Sequence, residues 1–379
     1  MKRMLFLVGG MLAWGVAVVA QSKVVTQSKP VPVSLRPEHW TYRPGAVQFD
    51  DSAGVARMKV VDGRGYVVLK NVDFGDGTIE FDDIPTDPSF SQIYFRWQDS
   101  LEAECFYFRT ARGVGHPYAM TGVQYTPIVK GVMMWDALPQ YQTFATYQNQ
   151  TANHVKIVLS GARMRVWVNN MERPTLEVTR MEGNTTHGTL AFAGEAIVSN
   201  LVLKPGQVEG LSPVAGPDET EYDPRYLRHW QVGEPDTMQE AMGARVTGLA
   251  KREVDWKPMN AERRGFVNLS RTYGGGRQYR SIWLKTTIHA EAARTVQMRL
   301  GFLDDVAVFV NDRLVYVDKN YFGTPIAKVP NGRMSLENAT FSIPLQAGDN
   351  VLMMRVGNNF YTWGIVARLD DLDGLSIER

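Results

Sequence analysis

A strand ending in Val-Asn occurs twice in this chain, once in each half. The first reads Arg165-Val166-Trp167-Val168-Asn169-Asn170, and the second Val306-Ala307-Val308-Phe309-Val310-Asn311-Asp312. β-Branched and aromatic residues suit a pleated strand, and an Asn-Asn or Asn-Asp pair tolerates the positive φ of a tight turn. Each copy is therefore expected to turn back as a hairpin. Together they point to two β-sandwiches in tandem.

The rest of the chain agrees with that expectation. Short alternating stretches such as Thr78-Ile79-Glu80-Phe81-Asp82, Gln92-Ile93-Tyr94-Phe95-Arg96-Trp97 and His154-Val155-Lys156-Ile157-Val158-Leu159 are separated by Gly- and Asp-containing turns. No window carries a sustained helical apolar stripe, and Thr237 to Ala241 is the one short helix expected. A Pro- and Gly-rich stretch, Pro205 to Pro224, reads as a linker. The expected organisation is a leader over 1–20, an extended lead-in over 21–36, a sandwich over 37–205, a linker over 206–225 and a second sandwich over 226–379. At 379 residues the chain is long enough for each sandwich to bury its own core.

Lys2-Arg3, the apolar run Met4 to Val19 and the small residues before Gln21 form a secretory signal pattern. Export to the periplasm or beyond is expected, with no transmembrane span after cleavage. No Cys lies near the cleavage point, which argues against a lipoprotein. Cys105 is the single cysteine, so no intrachain disulfide is available. The chain's 41 basic residues, Lys2 and Arg3 among them, balance 40 acidic ones, which leaves no electrostatic footprint for nucleic acid.

Residues 37–205 resemble the concanavalin-A-like lectin/glucanase superfamily, which includes laminin-G-like domains. The resemblance rests on Gly77 to Asp82, Ile93 to Arg96, Phe106 to Arg109, His154 to Val158, Val166 to Asn169 and Gly188 to Phe192. The second half is similar to a galactose-binding-like jelly roll of the kind attached to glycoside hydrolases. Gly301 to Asn311, Ile343 to Leu352 and Trp363 to Leu369 carry that likeness.

These resemblances imply an all-β chain with a role in glycan recognition or degradation. Family-16 glycoside hydrolases of the first fold use a Glu-x-Asp-x-x-Glu strand. Here Glu80 and Asp82 share a strand face, but Pro85 replaces the second Glu, so the acid pair is incomplete.

Neither a Gly-x-Ser-x-Gly elbow nor a His-Glu-x-x-His motif is present, and the six histidines lack ligand spacing. No metal or cofactor is required by any motif, although sandwiches of both kinds accommodate a structural calcium. Sugar binding is the leading expectation, because aromatic rings stack on pyranose faces while polar side chains satisfy hydroxyls. The candidate ligand residues are Arg96, Arg109, His116, Tyr118, Tyr125, Trp135, Tyr321 and Trp363, with an oligo- or polysaccharide as partner.

One alternative is a hydrolase or lyase acting on (3-keto-)glycosides, with Glu102, Glu104 and His116 as candidate acids or bases. A structural or adhesive surface module is the other.

Overall fold

The computed structural model describes residues 29–86, 90–110, 120–236, 255–275 and 278–377. The expected leader, the helix at Thr237 to Ala241, and His116 and Tyr118 lie outside them.

The chain is all-β and built from antiparallel sheets. Sheet I runs in space as Leu176–Val178, Arg163–Val168, Asn153–Ser160, Gly77–Pro85, Ala196–Pro205, Val55–Val60 and Val47–Ser52. Sheet II runs as Val132–Met133, Val123–Val129, Ala103–Arg109, Phe90–Trp97, Thr189–Gly194, Val67–Leu69 and Trp40–Thr41.

Later residues build sheets III and IV. Sheet III centres on Arg280–Ala290, Gly348–Asn358, Asp304–Val310 and Arg313–Asn320, and sheet IV on Phe266–Asn268, Gly364–Leu369, Arg294–Phe302 and Ala339–Leu345.

The period of two puts Phe81, Phe95, Phe106, Phe108 and Ile157 into one core, and Ile282, Phe302, Val308, Met354 and Trp363 into another. Tyr226, Phe266, Leu303, Met334 and Val366 from the later half pack into the first core cluster. The junction between the sandwiches is therefore apolar and continuous with a core.

The stretch read as a linker lies against sheet I. Leu211 packs on Val158 and Trp167, and Pro213 accepts from Ala162 N–H at 2.9 Å. Gly216 N–H donates to Thr179 O at 2.8 Å. Its prolines restrict the chain, but the docking contacts fix it.

The two Val-Asn strands turn differently. Asn311 and Asp312 both have positive φ, 49° and 64°, and Val310 pairs with Arg313, so this is a two-residue hairpin. Asn169 also has positive φ, 62°, but residues 169–175 form a longer loop before Leu176–Val178 pairs back.

The side chains nevertheless do the same thing in both places. Asn169 accepts from His154 N–H at 2.9 Å and donates to Asn153 Oδ1 at 3.0 Å. Asn311 accepts from Val351 N–H at 2.9 Å and donates to Asn350 Oδ1 at 2.8 Å.

Asn153 and Asn350 are themselves buried, and each closes a loop by donating to several carbonyls, at Gln148, Thr151 and Asp83 or at Gln346, Gly348 and Ile288. Asn350→Ala would orphan these buried groups, so a loss of about 2–3 kcal/mol is expected from denaturant melts. A loss under about 0.5 kcal/mol would mean that water replaces the amide without cost.

Candidate glycan-binding site at the sandwich junction

Sheet II is buried on both faces at Ala103–Arg109. Alternation sends Glu104, Phe106 and Phe108 toward the core, and Cys105, Tyr107 and Arg109 to the outer face. On that outer face the register aligns Tyr94 with Cys105 and Thr126, and Gln92 with Tyr107 and Gln124.

Gln124 organises the polar part. Its carbonyl accepts from Tyr107 Oη at 2.9 Å and from Arg109 Nη2 at 2.5 Å, while its amide donates to Trp135 O at 2.7 Å. Arg109 also donates to Tyr107 Oη at 2.6 Å and Thr121 O at 2.9 Å, and its guanidinium lies 5.8 Å from the Trp135 ring.

Aromatic rings continue from this cluster in both directions. Tyr66 lies 5.2 Å from Tyr94 and 4.5 Å from Trp97. Trp135 meets Phe322 at 4.6 Å, Tyr361 at 5.6 Å and Phe360 at 6.4 Å, all edge-on. An arc of rings therefore crosses from sheet II of the first sandwich to loops of the second.

Access varies along it: Phe360 and Tyr361 are 41% and 43% exposed, whereas Trp135, in the middle, is 6% exposed. Tyr66 and Phe322 are half-buried. Burial raises the Tyr66 hydroxyl above the usual tyrosine range, and neighbouring Cys105 adds to it.

The later loops are held by carboxylates. Asp304 takes the Asn359 and Phe360 N–H groups on one oxygen, the latter at 2.8 Å, so it fixes the turn that presents Phe360 and Tyr361. Burial pushes its carboxyl up to about 7. Asp136, beside Trp135, is also pushed by burial to about 7, and Thr362 N–H approaches it at 3.4 Å. The guanidinium of Arg333 faces both the Trp135 and the Phe322 ring, at 5.0 and 5.3 Å from their centres.

Of the residues expected from the sequence, the structure brings Arg109 and Trp135 together, and Tyr321 adjoins them through Phe322. The other described candidates have separate settings. Arg96 turns into the first sandwich, bonding Asp76 and Gly161 O at 2.9 Å each. Tyr125 is fully buried and donates to Glu104 at 2.6 Å. Trp363 is fully buried in the second core, with its indole N–H on Val356 O at 3.2 Å.

Glu104 points away from Arg109, on the opposite face of its strand, and burial raises its carboxyl to about 7. Glu102 is engaged by Lys130 N–H and Asn184 at 3.1 and 2.9 Å. The strand period alone explains why these acids do not converge with Arg109. Glu80 and Asp82 are likewise occupied, by Lys204 at 2.7 Å and His154 at 2.8 Å, on the outer face of sheet I.

Tyr66, Phe360 and Tyr361 were not expected. The adjacent aromatics in Gly357-Asn358-Asn359-Phe360-Tyr361, within a turn-rich stretch, are the signal that marks them.

A concavity of about 650 Å³ lies elsewhere in the junction. Arg263 reaches Glu182 at 3.2 Å and Pro217 O at 2.6 Å, and Arg271 pairs with Glu262 at 2.5 Å. Tyr125 takes the Glu182 N–H at 2.6 Å, so this ionic seam connects to Glu104 in the first core. Its charges are spent on joining the sandwiches. No group of acids, histidines and cysteine suited to a metal ion occurs among the described residues. No helix among them is long and apolar enough to cross a membrane.

No family model matches the chain, and no curated protein does. Solved structures with partial likeness include a carbohydrate-binding module of Bacillus subtilis, at 14% identity over 44% of this chain and 91% of that one, with a TM-score of 0.32. A Caenorhabditis elegans galectin matches at 13% identity over 45% and 98%, with a TM-score of 0.27. A Bacillus licheniformis β-glucanase matches at 11% over 45% and 86%, with a TM-score of 0.31. Likenesses this slight leave the chemistry of the site to its own residues.

Proposed function

We propose that this chain is an exported carbohydrate-binding protein and that its binding surface is the aromatic arc at the junction. The observation that carries the reading is the combination in that arc. Exposed rings at Phe360 and Tyr361 and the half-buried Tyr66 flank a buried cluster of Arg109, Tyr107 and Gln124, whose hydrogen bonds to one another and to Trp135 O hold the arc in place. Sugar rings have apolar C–H faces and equatorial hydroxyls, so they need stacking surfaces and oriented polar groups together. Rings already packed edge-to-face lose little freedom when a ligand arrives. Export is drawn from the Lys2-Arg3 leader and its apolar run.

The test is glycan-array screening of the purified full chain, then calorimetry on the strongest ligand. Tyr361→Ala and Tyr66→Ala should each weaken binding roughly fivefold to tenfold, the range of one aromatic contact, without shifting the melting temperature by more than a few degrees. Absence of any glycan ligand, or variants that bind as tightly as the parent, would overturn the assignment.

A further inference from the structure

Next to the arc, on sheet III, lies a group that the proposed sugar site does not use. Asp305 is 2% exposed, and both of its oxygens are taken by phenols: Tyr279 Oη donates to Oδ1 at 2.9 Å and Tyr321 Oη to Oδ2 at 3.0 Å. The tyrosines arrive from different directions, Tyr279 just before Arg280–Ala290 and Tyr321 just after Arg313–Asn320, and both are half-buried.

Across the sheet the register places Ser281, Gly357 and Asp305 in one row. Gly357 leaves this row without a side chain, and a Cβ there would lie 2.2 Å from Asp305 Oδ1. Lys319, whose ammonium lies 5.7 Å from the Tyr321 ring centre, and Arg355, whose Nε bonds Ser281 Oγ at 3.0 Å, flank the cluster.

Burying a carboxylate costs more than apolar packing of the same volume, so a mere staple between loops would be an expensive choice. With both phenol hydrogens committed to Asp305, each tyrosine oxygen keeps lone-pair capacity to accept from a hydroxyl donor. The cluster is also continuous with the arc. Phe322 follows Tyr321 and packs on Trp135, and Asp304, next to Asp305, fixes the Phe360 turn.

We infer that Tyr279, Asp305 and Tyr321 form a second hydroxyl-binding subsite, so that the ligand is an oligosaccharide lying across both sandwiches. This rests on the arc being the sugar site. A chain of two or more units then gains affinity by engaging both subsites at once.

The probe is a panel of defined neutral, amino and acidic glycans of one to six units, with the full chain and its Asp305→Asn and Tyr321→Phe variants. The parent is expected to bind its preferred oligosaccharide at least tenfold more tightly than the matching monosaccharide. Tyr321→Phe, which keeps the ring and removes one hydroxyl, should cut that ratio about threefold to tenfold, with monosaccharide affinity unchanged. Asp305→Asn should cut it further.

A staple would instead lower the melting temperature and leave the ratio intact, and that result would overturn the inference while the arc stands. Equal affinity of the parent for one unit and six would do the same. No binding across the panel would remove the arc assignment itself.

Discussion

Trp363→Ala should lower the melting temperature by about 10 °C and leave glycan affinity of the folded protein unchanged. The side chain is fully buried among Leu269, Ile282, Val356 and their neighbours, and its indole N–H is satisfied by Val356 O. Its backbone also joins the loop to the short helix Leu269–Tyr273, through Ser270 Oγ at 2.8 Å and the Leu269 N–H at 3.0 Å. Arg280 lies over the ring at 4.5 Å, so truncation also removes the surface beneath a half-buried cation.

Removing a buried Trp costs about 3–5 kcal/mol, and in a unit of about 150 residues, the size of the second sandwich, each kcal/mol moves the midpoint by about 2–4 °C. Calorimetric scans with and without ligand check both halves. A midpoint within about 3 °C of the parent together with abolished binding would return Trp363 to the ligand surface.

Stability should fall as pH rises from about 4 to about 7, the reverse of the trend in proteins whose carboxylates are salt-bridged. Burial raises the carboxyls of Asp83, Glu104, Asp136 and Asp304 to about 7, against ordinary values of 3.8 for Asp and 4.5 for Glu. A raised carboxyl holds its proton longer in the folded state. Between the ordinary and the raised value the native chain therefore binds more protons, and each step up in pH favours unfolding.

The contribution is fully present below about 4 and lost above about 7, with an upper bound of about 3 kcal/mol for Glu104 and about 4 kcal/mol for each of the three aspartates. Asp50, Asp218, Asp223 and Asp318 are shifted the other way, so their stabilisation is lost only at more acid pH. Denaturant melts at pH 5, 6, 7 and 8 test the trend. Glu104→Gln should flatten it, because the neutral amide still accepts from Tyr125. A steady rise in stability over that range would contradict the assignment.

Strand positions were legible because the period of two is written directly in stretches such as Ile79-Glu80-Phe81 and Ile157-Val158-Leu159. Which face each strand buries was harder to read. In Ala103–Arg109 both faces are covered, so Glu104 and Arg109 look alike in sequence although they point apart. Arg96 shows a second limit: its φ of 49° beside a register shift re-aims the side chain, and no local pattern announces that. The arc draws Trp135 and Phe360 from opposite halves of the chain, and only the docking of the sandwiches makes them neighbours. Trp363 misled because turn-like surroundings suggested exposure, whereas the ring folds back into the core.

The paired asparagines bear on descent. In the first sandwich the buried partner, Asn153, precedes the turn residue Asn169. In the second, Asn311 comes first and Asn350 follows. Each turn residue also donates its own N–H to the residue it caps, Asn169 to His154 O at 2.9 Å and Asn311 to Val351 O at 3.0 Å. A simple tandem copy would preserve chain order, so this lock arose twice or its strands were permuted between copies. It depends on two strands lying side by side and not on how the chain connects them. A circular permutant opened in the Ser160-Gly161-Ala162 turn would keep both asparagines of the first lock in place.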